Sequence, residues 1–206
     1  MLIEQPPKLF RMTIPEGLCR VDHEDEGEEK RVYLTFDDGP IPEVTPWVLD
    51  TLDRYGIKAT FFMVGDNGRR HPELVEEVRR RGHRIGNHTM HHLQGAKCLT
   101  STYLADVAEA QKYLHADLFR PPHGWLRRRQ AKALSHDFKI VMYDLVTRDY
   151  SKKLTSAQVV DNVKRYARPG AIIVFHDSLK SLPRLREALV ESIEWLIAQG
   201  YSFGLL

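Results

Sequence analysis

Cysteine is nearly absent from this chain. Cys19 and Cys98 are the only two, far apart and without metal-type spacing, so neither a disulfide framework nor a cysteine zinc site is expected. No apolar run approaches the roughly 20 residues that a membrane span needs. Residues 1–10 (MLIEQPPKLF) lack the basic start and apolar stretch of an export signal, and a cytoplasmic location is the expectation that follows. Net charge is small: 30 basic residues stand against 28 acidic ones, a formal +2, which gives no general attraction to nucleic acid or membrane. The local run Arg127-Arg128-Arg129 reads as a solvated helix face. Loops of the Gly-x-Gly-x-x-Gly or Gly-Lys-Ser/Thr type are missing, which argues against a nucleotide site.

What is present fits one globular unit. The 206 residues, 42% of them hydrophobic, suffice for one sizeable core and are few for two, so a single catalytic-size domain over 31–206 and a monomer are the defaults. Residues 1–30 carry prolines, an acidic run and no sustained periodicity; they read as an irregular arm, with one strand near 9–13 covering the edge of the domain. From there strand and helix patterns alternate. Strands are expected at 31–36, 58–64, 83–87, 118–120, 139–143, 171–175 and 201–205, and helices at 43–55, from Pro72 to about 81, 101–115, 126–135, 156–167 and 182–198. Thr155 and Gln158 have the spacing of a capping box. Such alternation predicts an α/β fold with a parallel sheet, and with this many units a closed or nearly closed barrel rather than an open sheet.

One stretch carries the strongest local signal. In RVYLTFDDGP (31–40), Val32, Leu34 and Phe36 alternate with Arg31, Tyr33 and Thr35, and the strand ends on Asp37 and Asp38 before Gly39-Pro40 stops it. Neighbouring side chains on an extended chain point opposite ways, so a kink at Gly39 is needed to aim both carboxylates into one cleft, one toward a metal and one left free as a base. Other polar residues also follow strand ends: His88 and His92, Arg120, Asp144 and Asp149, and His176 with Asp177. In a barrel of parallel strands those positions meet on one rim, where such barrels keep their active sites. His88 and His92, four residues apart, share a face if the segment makes a helical turn, and with Asp38 they fit a three-ligand zinc set with an open position. His91 is the alternative to His92.

These residues resemble the NodB-homology polysaccharide deacetylases, also called carbohydrate esterase family four, from about residue 33 to the C-terminus. The family's motif Thr-Phe-Asp-Asp-Gly stands at 35–39, His-Ser/Thr-x-x-His at 88–92 and Arg-x-Pro-x-Gly at 120–124. Its Asp-x-x-Asp-Trp is altered to Asp149-Tyr150, with Asp144 five residues upstream of Asp149, and its Leu-x-His appears as Val174-Phe175-His176. The resemblance implies a distorted (β/α) barrel with about seven parallel strands, one divalent metal, usually zinc, and hydrolysis of the acetamide of N-acetylated sugars. It gives Asp37 the role of general base, His176 that of general acid, and the metal to Asp38, His88 and His92. Arg120 would orient Asp37, Asp149 would keep His176 protonated, and the backbone N–H of His123 would hold the oxyanion. His123 and Tyr150 stand where the family carries tyrosine and tryptophan, which implies an altered sugar fit.

The expected partner is therefore an N-acetylated glycan or amino sugar. Rival readings are a non-catalytic metal or glycan-binding domain, a phosphoesterase, and a deacetylase of a small intracellular amino sugar or amide. A phosphoesterase would want a second metal set, which the sequence does not offer.

Overall fold

The structure, a computed structural model, describes residues 4–7, 14–21 and 30–206. Strands and helices alternate in the order β1 (Lys30–Asp37), α1 (Thr45–Arg54), β2 (Thr60–Met63), α2 (Gly65–Arg70), α3 (Pro72–Arg80), β3 (Arg84–Asn87), α4 (Thr100–Leu114), β4 (Leu118–Phe119), α5 (Arg128–Leu134), β5 (Lys139–Ile140), β6 (Leu145–Val146), α6 (Ser156–Tyr166), β7 (Ile172–His176), α7 (Leu182–Ala198) and β8 (Tyr201–Phe203). Seven strands form one parallel sheet in the order β5-β4-β3-β2-β1-β7-β6, and β8 pairs in parallel with the start of β1. The expected distorted barrel is therefore present, with β1 an interior strand that pairs with β2, β7 and β8.

Both faces of β1 are buried, which explains its composition. Val32, Leu34 and Phe36 join the large core under the helices, where Phe36 stacks on Phe61 of β2 and Phe175 of β7 at centroid distances of 5.0 and 6.0 Å. Tyr33, Thr35 and Asp37 face the inside of the curled sheet. Thr35 is tolerated there because its hydroxyl donates to the Ile173 carbonyl at 2.9 Å and accepts from Arg120 at 2.8 Å.

Two elements were not expected. Helix α2, GDNGRR, has poor helix propensity, yet its glycines allow close packing: a Cβ on Gly65 would meet Ala110 Cβ at 2.6 Å, and one on Gly68 would meet Leu114 at 2.8 Å. Strand β6 is two residues long and follows β5 almost at once, but it lies on the far side of the sheet beside β7. The predicted strand 139–143 is accordingly shorter, ending at Ile140. The capping box at the start of α6 forms as predicted, with Gln158 N–H on Thr155 Oγ1 at 3.2 Å and Thr155 N–H on Gln158 Oε1 at 2.9 Å.

The curled sheet leaves a seam between its β5 and β6 edges, and part of the N-terminal arm crosses it. Leu18 bridges to Val141 beyond β5, and Arg20 bridges to Ala171 before β7. The Glu4 carbonyl accepts the Val146 N–H of β6 at 2.8 Å. The strand expected near 9–13 lies outside the described residues. Among the described residues, no helix is long and apolar enough to cross a membrane.

Candidate active site

At the C-terminal ends of the strands lies a cavity of about 240 Å³ whose lining includes Asp37, Asp38, His88, His92, Arg120, His123, Tyr150, Val174, His176 and Lys180. Of the sequence-predicted site residues only Asp149 is not in the lining, and it stands directly behind His176.

Asp37 and Asp38 reach the cavity together because the chain turns at Asp38 itself. The kink predicted at Gly39 falls one residue earlier: Asp38 has φ 83°, in the left-handed region. Gly39 is required for a different reason, since a Cβ there would lie 2.0 Å from the Asp177 carboxylate, which accepts the Gly39 N–H at 3.0 Å. The same carboxyl accepts the Thr45 hydroxyl at 2.6 Å, and the Asp177 N–H donates to the Asp37 carbonyl at 3.1 Å. Asp177, in sequence one more polar residue after a strand end, thus clamps the Asp-Asp-Gly-Pro turn. Burial pushes its carboxyl up to about 8.

His88 and His92 converge without the helical turn that the sequence suggested. The loop after β3 is irregular, with left-handed backbones at Thr89 (φ 64°) and His92 (φ 54°), and the two rings stand 5.1 Å apart. His92 Nε2 lies 3.2 Å and His88 Nε2 3.9 Å from Asp38 Oδ1, and the candidate donor atoms of the three residues all lie within 4.8 Å of one another. His88 Nδ1 sits 2.7 Å from the Arg120 carbonyl, which fixes the proton on Nδ1 and leaves the Nε2 lone pair facing Asp38. Burial pushes the His88 imidazole down to about 4, so it is neutral, as a metal ligand must be. Burial works to raise Asp38, but the His92 hydrogen bond and the nearby His176 and His88 hold its carboxyl well below the usual range. Three donors with this tautomer and spacing fit one divalent cation.

His91 is turned away. Its Nδ1 lies 2.6 Å from Asp106 Oδ1, while Asp106 Oδ2 accepts the N–H groups of Met90 and His91 at 2.8 and 3.1 Å. Asp106 on α4 thereby decides which neighbouring histidine faces Asp38. No local pattern in the sequence signals it.

Asp37 is buried against a fully buried arginine. Arg120 donates to Asp37 Oδ1 at 2.7 Å, to Thr35 at 2.8 Å, and to the Val141 and Met142 carbonyls at 3.3 and 2.8 Å, with its guanidinium 4.0 Å above the Phe62 ring. Asp37 Oδ2 is left facing the metal-type cluster, 4.0 Å from His88 Nε2.

His176 sits opposite Asp37 in the register of β1 and β7. Asp149 holds it twice, through Nδ1 at 2.8 Å and through its backbone N–H at 2.7 Å. Burial opposes the imidazolium, yet the charge and hydrogen bond of Asp149, with Asp38 and Asp37 behind them, raise His176 to about 9. Asp149 reaches the end of β7 because the strand before it, β6, pairs with β7 in register with Ile173 and Val174. Asp144, five residues upstream, is taken by Arg168 at 2.6 and 2.7 Å. Tyr150 stands edge-on to His176 at 4.9 Å and His123 edge-on to His92 at 4.8 Å, so both substituted positions still form walls of the cavity.

Comparison with known proteins agrees with this architecture. The family model for polysaccharide deacetylases matches residues 24–140. A peptidoglycan-N-acetylglucosamine deacetylase from Bacillus cereus is 34% identical over 191 residues, 89% of this chain and 89% of that protein. A chitooligosaccharide deacetylase from Bradyrhizobium is 32% identical over 80% of this chain and 78% of its own length. The crystal structure of the Bc1960 peptidoglycan N-acetylglucosamine deacetylase superposes with a TM-score of 0.86 at 30% identity, covering 98% of this chain and 95% of the other. Some curated relatives are longer, and the chain spans 56% of one and 37% of another.

Proposed function

Because the chain belongs to the polysaccharide deacetylase family, we propose that it hydrolyses the acetamide of N-acetylated sugars in a peptidoglycan- or chitin-type glycan. The observation that carries this reading is the meeting, in one cavity, of a three-donor metal cluster, a carboxylate held by an arginine and an imidazole held by an aspartate. Asp38, His88 and His92 would hold a divalent cation, zinc by the match to two imidazoles and a carboxylate, and when bound it would supply the Lewis acidity that activates water and an acetyl carbonyl.

The chain's own residues do the rest. Arg120 occupies one oxygen of Asp37 and leaves the other free to take the proton of the attacking water. His176 donates a proton to the departing sugar nitrogen from Nε2, since Nδ1 is committed to Asp149. The backbone N–H of His123 is offered to the developing oxyanion. Trp125, 47% exposed and next in sequence to the cavity-lining Gly124, is an aromatic residue near enough to the cavity to meet a further sugar unit, which favours an oligomeric substrate.

The deciding experiment incubates purified, metal-loaded protein with N-acetylglucosamine oligomers of increasing length and follows acetate release, with and without a chelator. Release that stops with chelator and rises with oligomer length supports the proposal. Glycan binding without acetate release would make the chain a recognition module instead.

The acid assignment yields a pH prediction. A proton donor raised to about 9 stays charged through neutral pH and is lost only as pH climbs through that value. Asp149→Asn removes the charge that does most to raise it and leaves the weaker pull of Asp38 and Asp37 against burial, so the alkaline limb of the kcat profile should move to lower pH. Maximum rate should fall while metal content stays the same. An alkaline limb that does not move takes Asp149 out of the mechanism.

A further inference from the structure

Lys180 lines the cavity yet has no part in the chemistry derived above. The base and the acid there each have a partner of opposite charge, Arg120 at 2.7 Å from Asp37 and Asp149 at 2.8 Å from His176, and Asp38 faces His92 at 3.2 Å in the metal-type cluster. Among the described residues, no carboxylate lies within ion-pairing distance of Lys180. Its ammonium instead stands over the Tyr150 ring, 5.3 Å from the centroid. Its position is built, because Arg184 donates at 2.5 Å to both the Lys180 and the Asp149 carbonyl and so ties the lysine's backbone to the acid's partner. The ammonium shares the cavity with the His176 imidazolium, a repulsion that an arriving anion turns into attraction.

We propose that Lys180 is a specificity-determining residue that takes the carboxylate of an acidic sugar unit joined to the N-acetylated one, so that the site selects an anionic glycan over a neutral one. The inference rests on the deacetylase reading and deepens it. A lone ammonium is a point charge suited to a single carboxylate, and the ring beneath it holds the amine in place without neutralising it. The lysine follows β7 while Trp125 follows β4, on opposite sides of β1. A glycan crossing the catalytic centre from one loop to the other has an exposed tryptophan at one end and a cation at the other.

The test compares kcat/KM on three substrates: a glycan fragment that alternates N-acetylglucosamine with a carboxylate-bearing N-acetyl sugar, the same fragment with its carboxyls methyl-esterified, and a neutral N-acetylglucosamine oligomer of equal length. The wild type should prefer the free acid over its ester by roughly tenfold at low salt, the scale of a hydrogen bond to a charged group, and less at high salt. Lys180→Met should erase most of that preference and Lys180→Arg should keep it. A preference undiminished in Lys180→Met, or none in the wild type although it releases acetate from all three, overturns the role of Lys180 and leaves the deacetylase reading standing. A wild type that releases acetate from none of them overturns both.

Discussion

Asp37→Asn should lower kcat by roughly 10²- to 10⁴-fold, the usual contribution of a general base, with metal content unchanged. The substitution preserves shape, and the side-chain oxygen facing Arg120 can still accept its hydrogen bond. What disappears is the proton acceptor facing the cluster. The neighbouring substitution should behave differently: Asp38→Asn weakens the carboxylate on which both histidines converge, so metal is lost first and activity with it. Metal analysis alongside kcat separates the two aspartates. Near wild-type kcat in Asp37→Asn would place the base elsewhere, and full metal in Asp38→Asn would remove it from the ligand set.

Arg120→Met should be the most damaging single change to the fold as well as to activity. The guanidinium is 1% exposed and satisfies one carboxylate, one hydroxyl and two carbonyls. Removing it leaves Asp37, 6% exposed, as a buried charge without its partner. Breaking such a pair costs about 3–5 kcal/mol, which for a chain of this length is a fall in Tm on the order of 10 °C. Adding Asp37→Asn removes the stranded charge, so the double variant should regain part of the lost stability and none of the activity. Thermal melts of the two single variants and the double close the cycle. A single Arg120→Met that melts within about 2 °C of wild type contradicts this account.

Much of the site was legible because its residues follow strand ends, a signal that survives errors in strand boundaries. Asp37, Asp38, His88, His92, Arg120 and His176 each needed only a local reading: alternation that stops, a turn pair, a spacing of four. The fold class was legible for a related reason, since seven apolar runs separated by helical patterns leave few parallel arrangements. What escaped was set by long-range packing. Helix α2 exists because Gly65 and Gly68 admit Ala110 and Leu114, and no glycine-rich hexapeptide announces that by itself. Strand β6 is too short for any periodicity, and its two residues are strand only because β7 lies beside them. Asp106 chooses His92 over His91 from a helix that begins after the intervening loop. The alternation of Thr35 with Leu34 and Phe36 did not say what Thr35 meets, and it is the sheet's curl that brings its hydroxyl onto Arg120.

The backbone of this site works against the endurance of the molecule. Among the described residues six non-glycines have positive φ, and five of them, Asp38, Thr89, His92, His123 and Arg148, lie in the loops that follow strands at the cavity end. Each such conformation costs a residue with a Cβ about 1 kcal/mol relative to glycine. Two of the five are candidate metal ligands and one is a cavity wall, so the side chains proposed to hold a cation and to meet a sugar occupy positions where the chain alone favours glycine. Stability and turnover therefore compete for the same few codons. A selection for heat resistance alone acts first on these loops, and it dismantles the site to the extent that it succeeds.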